Sequence, residues 1–204
     1  MVAIRGGVDG SLRRQLDKAL VEALRFAPDS KSLWFAENPP GGATGPSLVK
    51  RLMLESGQID VVLEHPRPLR ALALTLSGEV QTLAYADEAG SVRLQTPGDA
   101  TPREWALGSE LDRLAFADQG ATLWAAGPRG VWRIELASSA THALTNVRGE
   151  WLSVAPDGRR VTWLEEGRLR LWDGALQTLP AALQALQELE CVAWADAGGE
   201  SLWL

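Results

Sequence analysis

The amino-acid sequence predicts an all-β fold, a β-propeller of about five four-stranded blades, on two observations. A short motif recurs five times at nearly equal spacing along the 204 residues. Each copy is followed by further short apolar segments that are separated by turn-forming residues. Four short strands in a unit of about 40 residues are typical of a propeller blade. A β-sandwich is the weaker alternative, because it would not require one motif to return five times.

The recurring motif predicts the first strand of each unit and the turn after it. It reads VEALRFAPDS at 21–30, LRALALTLSG at 69–78, LDRLAFADQG at 111–120, GEWLSVAPDG at 149–158 and LECVAWADAG at 189–198. Its apolar anchors are spaced by 48, 42, 38 and 40 residues: Leu24, Leu72, Leu114, Leu152 and Val192. Apolar residues at alternate positions predict a strand with one packed face. The Asp-Gly, Asp-Ser or Ser-Gly pair predicts a tight hairpin turn.

Three further strands complete each predicted unit. The second strands are expected at 32–35, 82–86, 122–125, 160–164 and 201–204. The third strands follow a turn glycine at Gly90, Gly130 and Gly167, with 46–54 in the same place in the first unit. The fourth strands are expected at 60–63, 104–107, 142–144 and 176–179. The prediction is one propeller domain over 1–204, with units at 21–68, 69–110, 111–148, 149–188 and 189–204 plus 1–20.

The last unit stops after its second strand, which leaves the closure of the ring to be explained. Residues 2–5 and 12–16 could supply its third and fourth strands and thereby remove the exposed strand edges. Leucines spaced by four after Ser11 favour a different structure, a helix over 11–20. A third alternative is that a partner chain completes the ring.

Two stretches resemble the blades of WD-repeat proteins. They are 111–136 and 151–173, and Trp172–Asp173 stands where that family has its signature dipeptide. The segment VEALRFAPDSKSLWF resembles the Pro-Asp blades of TolB-like propellers. Together these likenesses cover nearly the whole chain and identify it as a divergent member of the WD-repeat and TolB-like superfamily. No Gly-His dipeptide precedes any blade, so the Asp-His-Ser-Trp hydrogen-bond tetrad of well-conserved WD repeats is not expected to form.

Composition and charge exclude several classes of function. The net charge is −6, and Asp plus Glu outnumber Lys plus Arg, so nucleic acid is not an expected partner. No stretch approaches the roughly 20 apolar residues of a membrane span, so no membrane partner is expected. The single cysteine, Cys191, excludes an intrachain disulfide, and MVAIRGGVDG lacks the apolar run of a signal peptide. The expectation is a cytoplasmic protein.

The sequence offers no set of residues for catalysis, metal binding or a cofactor. His65 and His142 are the only histidines, and neither has a metal ligand at the required spacing. Both are expected to be exposed, in loops or outer strands. Cys191 is expected to act as a small buried hydrophobe, because no histidine occupies an equivalent position to serve as its base. No phosphate loop or dinucleotide fingerprint is present.

The most suggestive pattern lies two residues before each anchor. The positions there, called the ring positions below, are Glu22, Arg70, Asp112, Glu150 and Glu190. Equivalent positions in a propeller lie on one circle near the axis, and resemblance to WD repeats implies that this face commonly binds partners. Trp151 follows Glu150 and could project into the mouth of the channel or pack on the neighbouring blade. Other tryptophans are expected in the core: Trp124, Trp132, Trp163, Trp172 and Trp194.

These observations favour a non-catalytic protein-interaction module or scaffold subunit, without cofactor or metal, that binds a protein partner through an acidic face. The binding residues would be Glu22, Arg70, Asp112, Glu150, Trp151 and Glu190. The alternative is a small hydrolase or carbohydrate-binding propeller that uses the central pocket, which needs two carboxylates about 5–10 Å apart. A multi-subunit assembly would suit the first hypothesis.

Overall fold

A computed structural model describes most of the chain and shows that nearly all of its regular structure is β-strand. The described residues are 2–5, 12–16, 20–40, 45–77, 80–184, 189, 192–194 and 201–203. Within them the single α-helix is the one-turn α1, Ala181–Gln184. The all-β prediction is therefore confirmed.

The N-terminal segment forms an antiparallel hairpin. Its strands are β1, Val2–Arg5, and β2, Leu12–Leu16, with Val2 opposite Leu16. The strands expected at these positions are confirmed. A helix over 11–20 is wrong for the described part of that range, because residues 12–16 are paired as a strand.

Three four-stranded antiparallel sheets follow, each built from strands that are consecutive in the chain. The first sheet contains β3 Leu20–Phe26, β4 Ser32–Asn38, β5 Ser47–Met53 and β6 Ile59–His65. The second contains β7 Leu69–Ser77, β8 Val80–Asp87, β9 Ser91–Gln95 and β10 Arg103–Ala106. The third contains β11 Arg113–Ala117, β12 Thr122–Gly127, β13 Gly130–Glu135 and β14 Ala140–Thr145. Every strand predicted for these three units is present, with longer bounds in most cases.

The fourth sheet has three strands, so the predicted fourth strand at 176–179 is wrong. Its strands are β15 Gly149–Val154, β16 Arg160–Glu165 and β17 Arg168–Asp173. Among the described residues, the outer edge of β17 carries one bridge, from Trp172 to Leu176, and the N–H of Gln177 donates to the carbonyl of Leu171. The carbonyl of Pro180 then accepts hydrogen bonds from the N–H groups of Leu183 and Gln184, and the chain turns into α1. Proline has no N–H for a strand ladder, which is why the segment leaves the edge there.

The sheets follow one another around a common axis. The first strands β3, β7, β11 and β15 are neighbours in that order, and β15 also contacts β18, Ala193–Trp194. Strand β18 pairs with β19, Leu202–Trp203, so a fifth unit begins with the two strands expected of it. Inner strands that neighbour one another in chain order are the arrangement of propeller blades.

The core lies between adjacent sheets and is rich in tryptophan. Trp124 of β12 and Trp163 of β16 are almost completely buried, with ring centroids 6.1 Å apart. The ring of Trp172 meets that of Trp124 edge-on at 5.7 Å. Trp172 and Trp132 are partly buried against these clusters. Large rings thus fill the space between twisted sheets, as the sequence predicts.

His65 is buried and hydrogen-bonded, so the expectation that it is exposed was wrong. Its side chain ends β6 at a relative exposure of 6%, and its Nε2 lies 3.2 Å from Oδ2 of Asp87 in the next sheet. Arg93 Nη1 donates to the same carboxylate oxygen at 3.0 Å. His65 and Asp87 therefore pair across two adjacent sheets, with Arg93 beside them. His142 is half exposed, in line with expectation.

Burial of His65 should make the stability of the protein fall in mild acid. Desolvation lowers the pKa of His65, and its hydrogen bond to Asp87 offsets this only in part, while Arg93 and Arg67 lower it further. As the pH falls, the unfolded chain takes up the proton first, so the free energy of unfolding should decrease as the pH drops through about 6.5.

Urea unfolding of the wild type and of His65→Gln at about pH 7.5 and about pH 5.5 measures this dependence. The glutamine variant should lose less of its free energy of unfolding between the two pH values. The explanation fails if both proteins respond equally to the change in pH.

Candidate functional site

The ring positions that the structure describes lie where the inner strands begin, and the backbone there is irregular. The strand register breaks between Val21 and Ala23 and between Leu69 and Ala71, which places Glu22 and Arg70 in bulges. It also breaks between Glu150 and Ser153. Bulges re-aim side chains that a regular strand would send into the sheet-to-sheet packing. Glu190 lies outside the described residues.

Arg70 joins two carboxylates from different blades. Its Nη1 lies 3.6 Å from Oε2 of Glu22, and its Nε lies 3.0 Å from Oε1 of Glu110. Glu22 belongs to the first blade, whereas Glu110 lies just before β11 of the third. The guanidinium of the second blade therefore links its two neighbours at the ring.

Arg148 makes an equivalent link between the third and fourth blades. Its Nη2 lies 3.9 Å from Oδ2 of Asp112, and its Nε lies 2.5 Å from Oε1 of Glu150. All four of the carboxylates on these two arginines are partly exposed. We call the six residues the charged rim: Glu22, Arg70, Glu110, Asp112, Arg148 and Glu150.

Sequence reasoning missed Glu110 and Arg148, although a signal for them existed. Both stand four residues before their anchors, Leu114 and Leu152, and are therefore equivalent to each other in the repeat. The first two units have Leu20 and Pro68 at that position, so the charge is not periodic through the chain. The third, fourth and fifth units all have a charged residue at this position, namely Glu110, Arg148 and Glu188, and comparing those units could have found it.

Trp151 lies beside the charged rim and lines a cavity there. It is 45% exposed, and its backbone adopts a φ of +51°, a region that bulky side chains seldom occupy. It lines a cavity of about 230 Å³ together with Asp112, Arg113, Arg148, Gly149 and Glu150. The guanidinium of Arg113 stands 5.7 Å from the centre of its ring. Trp151 thus lines this cavity and contacts Arg113 of the neighbouring blade, whereas its projection into the mouth of a central channel stays a prediction.

Two more arginines lie on the inner strands, and neither is ion-paired with a carboxylate of the described residues. Arg25 Nη1 donates to the carbonyl of Leu24 at 2.8 Å, and Arg113 Nη1 donates to the carbonyl of Asp112 at 2.9 Å. Burial lowers the pKa of Arg25, and the charge of Arg113 lowers it further.

The described residues contain neither a metal site nor a membrane-spanning helix. Among them, no three histidine, cysteine or carboxylate side chains come together in a way that could hold a metal ion. In the same part of the chain, no helix has the length and apolar character needed to cross a membrane.

Comparison with known proteins identifies relatives in fold alone. No protein-family model matches the chain, and neither does any curated protein. A chain in the crystal structure of a nidogen/laminin complex aligns over 90% of this chain and 72% of its own length, with a TM-score of 0.67 and 12% identity. Sqt1 from Chaetomium thermophilum aligns over 76% of this chain and 43% of its own length, with a TM-score of 0.58 and 18% identity.

Both of these solved structures contain a β-propeller. Their similarity runs through most of the chain and agrees with the order of the sheets described above. The chain therefore has the fold of a β-propeller.

Proposed function

We propose that the chain is a non-catalytic protein-interaction module or scaffold subunit that binds a protein partner at the charged rim. The observation that carries this proposal is the half-exposed Trp151, held over a cavity of about 230 Å³ in an unfavourable backbone region. Partly exposed tryptophans beside a cavity are frequent anchors of protein interfaces. Backbone strain at an exposed position also points to a use for that position.

The charges of the rim favour a partner with basic groups. The described rim carries four carboxylates and two guanidiniums, so its formal charge is negative. Each arginine is shared between two carboxylates, which leaves acceptor capacity on every carboxylate for a lysine or arginine of a partner. Glu190 would add a fifth carboxylate to this acidic face.

The same ion pairs speak against the alternative of a small hydrolase. Acid–base catalysis on a glycoside needs one protonated and one ionised carboxyl group. Each described carboxylate of the rim is instead ion-paired with Arg70 or Arg148. This environment suits binding better than proton transfer.

Known complexes of the fold agree with an interaction role. The nidogen structure was solved as a complex with laminin, so a propeller of similar fold takes part in protein binding there. With an identity of 12%, this supports the class of function that we propose and gives no partner for this chain.

We also propose that this chain alone closes a ring of five blades. We further propose that the protein is cytoplasmic. Strands β18 and β19 begin the fifth unit, and the hairpin of β1 and β2 offers two strands to complete it. Closure would remove two unpaired sheet edges, which otherwise favour aggregation. The one cysteine, which excludes an intrachain disulfide, suits a reducing compartment.

Trp151→Ala should weaken capture of the partner by about 30-fold or more, because truncation of a tryptophan anchor typically costs 2 kcal/mol or more. The measurement is affinity capture from the source of the protein, followed by native mass spectrometry and titration of the recovered partner. A folded monomer of the recombinant chain in the same spectra is the expected result for a closed ring.

Val61→Ala is the control, because Val61 is 53% exposed and lies on the outer strand β6. It should capture the partner as well as the wild type does. Asp112→Lys combined with Glu150→Lys should abolish capture if the acidic face is used. Undiminished binding by the Trp151→Ala variant would contradict the proposed site.

A further inference from the structure

We propose that the cavity beside Trp151 is a pocket for one arginine side chain of the partner, and that Arg148 satisfies its carboxylates in the free protein. The inference rests on the proposed interaction function and names the residue type that the partner inserts. It also makes Arg148 a competitor, because this side chain has to turn away before the partner's arginine can enter.

The cavity brings two carboxylates and an aromatic ring together at the boundary of two blades. Asp112 comes from the third blade, whereas Glu150 and Trp151 come from the fourth, and all three line the same cavity of about 230 Å³. Carboxylates accept the N–H donors of a guanidinium, and the face of an aromatic ring attracts a planar cation. These are the groups that bind an arginine side chain.

Arg148 demonstrates that one guanidinium reaches both carboxylates of the cavity. Its Nε lies 2.5 Å from Oε1 of Glu150, and its Nη2 lies 3.9 Å from Oδ2 of Asp112. A different nitrogen meets each carboxylate, so the spacing of the two acidic groups suits a planar fork of donors. A lysine ammonium is a single point charge and does not suit that spacing. We therefore expect the pocket to prefer arginine to lysine.

Arg148 can leave its position at little cost. Its side chain is 57% exposed, the largest exposure among the ion-paired arginines in the described part of the chain. Both of its carboxylate partners are also partly exposed. Exposed ion pairs contribute little to stability because water solvates the separated charges well. A ligand that makes better contacts can therefore replace Arg148.

The backbone beside the pocket is fixed, so that only the side chain of Arg148 has to move. Gly149 is buried, and a Cβ at that position would lie 2.2 Å from Cγ2 of Val131. The chain can approach β13 so closely only because residue 149 is glycine. Strand β15 therefore holds Glu150 and Trp151 in place before a partner arrives, and a preformed site loses little freedom on binding.

Exchange of one guanidinium for another keeps the charges of the cavity balanced. In the free protein, two carboxylates and two guanidiniums line it: Asp112, Glu150, Arg113 and Arg148. When Arg148 turns out to solvent, the arginine of the partner restores that balance. The gain on binding then comes from contact of the partner with the exposed ring of Trp151 and from exclusion of water. Competition by Arg148 should reject basic segments that lack this contact.

Three short peptides test the pocket, with the indole N–H signal of Trp151 in nuclear magnetic resonance spectra as the readout. The Trp151→Phe variant lacks this signal and thereby assigns it. Acetyl-Gly-Arg-Gly-amide should shift the signal to saturation, whereas the same peptide with citrulline, which has a similar shape and no charge, should not. Acetyl-Gly-Lys-Gly-amide should bind at least about fivefold more weakly than the arginine peptide, because it lacks the planar fork.

Arg148→Gln should tighten binding of the arginine peptide by about fivefold, because the ligand no longer has to break an exposed ion pair. Asp112→Asn and Glu150→Gln should each weaken binding by about fivefold, because each removes one acceptor. Arg70→Gln is the matched control, since Arg70 also links carboxylates of two blades but does not line this cavity. It should bind the peptide as the wild type does.

Three results would overturn the arginine pocket. They are equal binding of the arginine and citrulline peptides, equal or weaker binding of the arginine peptide by Arg148→Gln, and no binding by either the wild type or that variant. Capture of the partner by Trp151→Ala is measured separately. If that variant loses capture while no arginine peptide binds, the interaction function stands and the arginine pocket fails.

Discussion

Replacing Asp87 with alanine is expected to cost about 3–5 kcal/mol of the free energy of unfolding. The side chain is fully buried and accepts hydrogen bonds from the N–H groups of Ala89 and Ser91 through Oδ1. Through Oδ2 it meets Arg93 and His65. Burial raises the pKa of this carboxyl, but the bonds from Ser91, Arg93 and His65 outweigh that effect and keep the pKa below its usual value. Alanine would leave the N–H groups of Ala89 and Ser91, and one end of the Arg93 guanidinium, without their acceptor in a partly buried site.

The matched control for that experiment is Glu104→Ala. Glu104 binds the other end of the same guanidinium, with Arg93 Nη2 donating to Oε1 at 2.8 Å, but its side chain is about half exposed. An exposed ion pair contributes less than about 1 kcal/mol, so this variant should unfold close to the wild type in urea. Similar losses in the two variants would mean that Asp87 is not the centre of the network.

The blades could be predicted from the sequence because their cause is local and repeated. Alternating apolar residues and a turn pair within ten residues specify a hairpin wherever it occurs, so Leu24 and Leu114 mark equivalent strands. The interaction of His65 with Asp87 is not local, because it joins the end of one blade to a turn of the next. A spacing rule within a single unit cannot predict a contact between two units. The sequence therefore predicts an exposed His65, although the residue is buried.

A second junction of the same kind supports this reading. Glu165 ends β16 as Asp87 ends β8, and it accepts hydrogen bonds from Thr145 of the preceding blade and from Arg170 of β17. Threonine replaces histidine and glutamate replaces aspartate, so the residue letters differ while the geometry is kept. A carboxylate at the end of the second strand, followed five or six residues later by arginine, is the sequence signal that would have found both junctions.

The sequence predicted where the charged residues of the candidate site lie along the chain, but it predicted only part of their ion pairing. Equivalence of the repeats placed Glu22, Arg70, Asp112 and Glu150 at the starts of inner strands, and the structure has them there. Which charges neutralise one another depends on side chains from neighbouring blades, such as the reach of Arg70 to Glu110. The sequence therefore predicted a ring of four carboxylates and one guanidinium, whereas the described rim has four carboxylates that share two arginines.

The buried carboxylates between blades and the exposed charged rim differ in how much substitution they should tolerate. Asp87 and Glu165 are enclosed and bonded from several sides, so they hold adjacent blades together and should tolerate no change. The rim is partly exposed, and its ion pairs individually contribute little to stability. Residues of the rim are thus free to vary for recognition, which is consistent with binding as their role.

Trp124→Ala is expected to destabilise the protein by about 3–5 kcal/mol, an effect comparable with that of Asp87→Ala. Trp124 is 1% exposed and lies between the rings of Trp163 and Trp172, at centroid distances of 6.1 and 5.7 Å. Neighbours on rigid strands of two sheets cannot collapse into the space of a lost indole, so the cavity remains. Urea unfolding followed by circular dichroism measures the loss.

Trp151→Ala provides a control of the same residue type with the opposite expectation. Its side chain is 45% exposed, so its removal should change the free energy of unfolding by less than about 1 kcal/mol while weakening capture of the partner. Together the two variants separate a tryptophan that holds blades together, Trp124, from the one that we propose for recognition, Trp151. A large loss of stability in Trp151→Ala would assign that ring to the packing between the third and fourth blades and remove the anchor from the proposed interface.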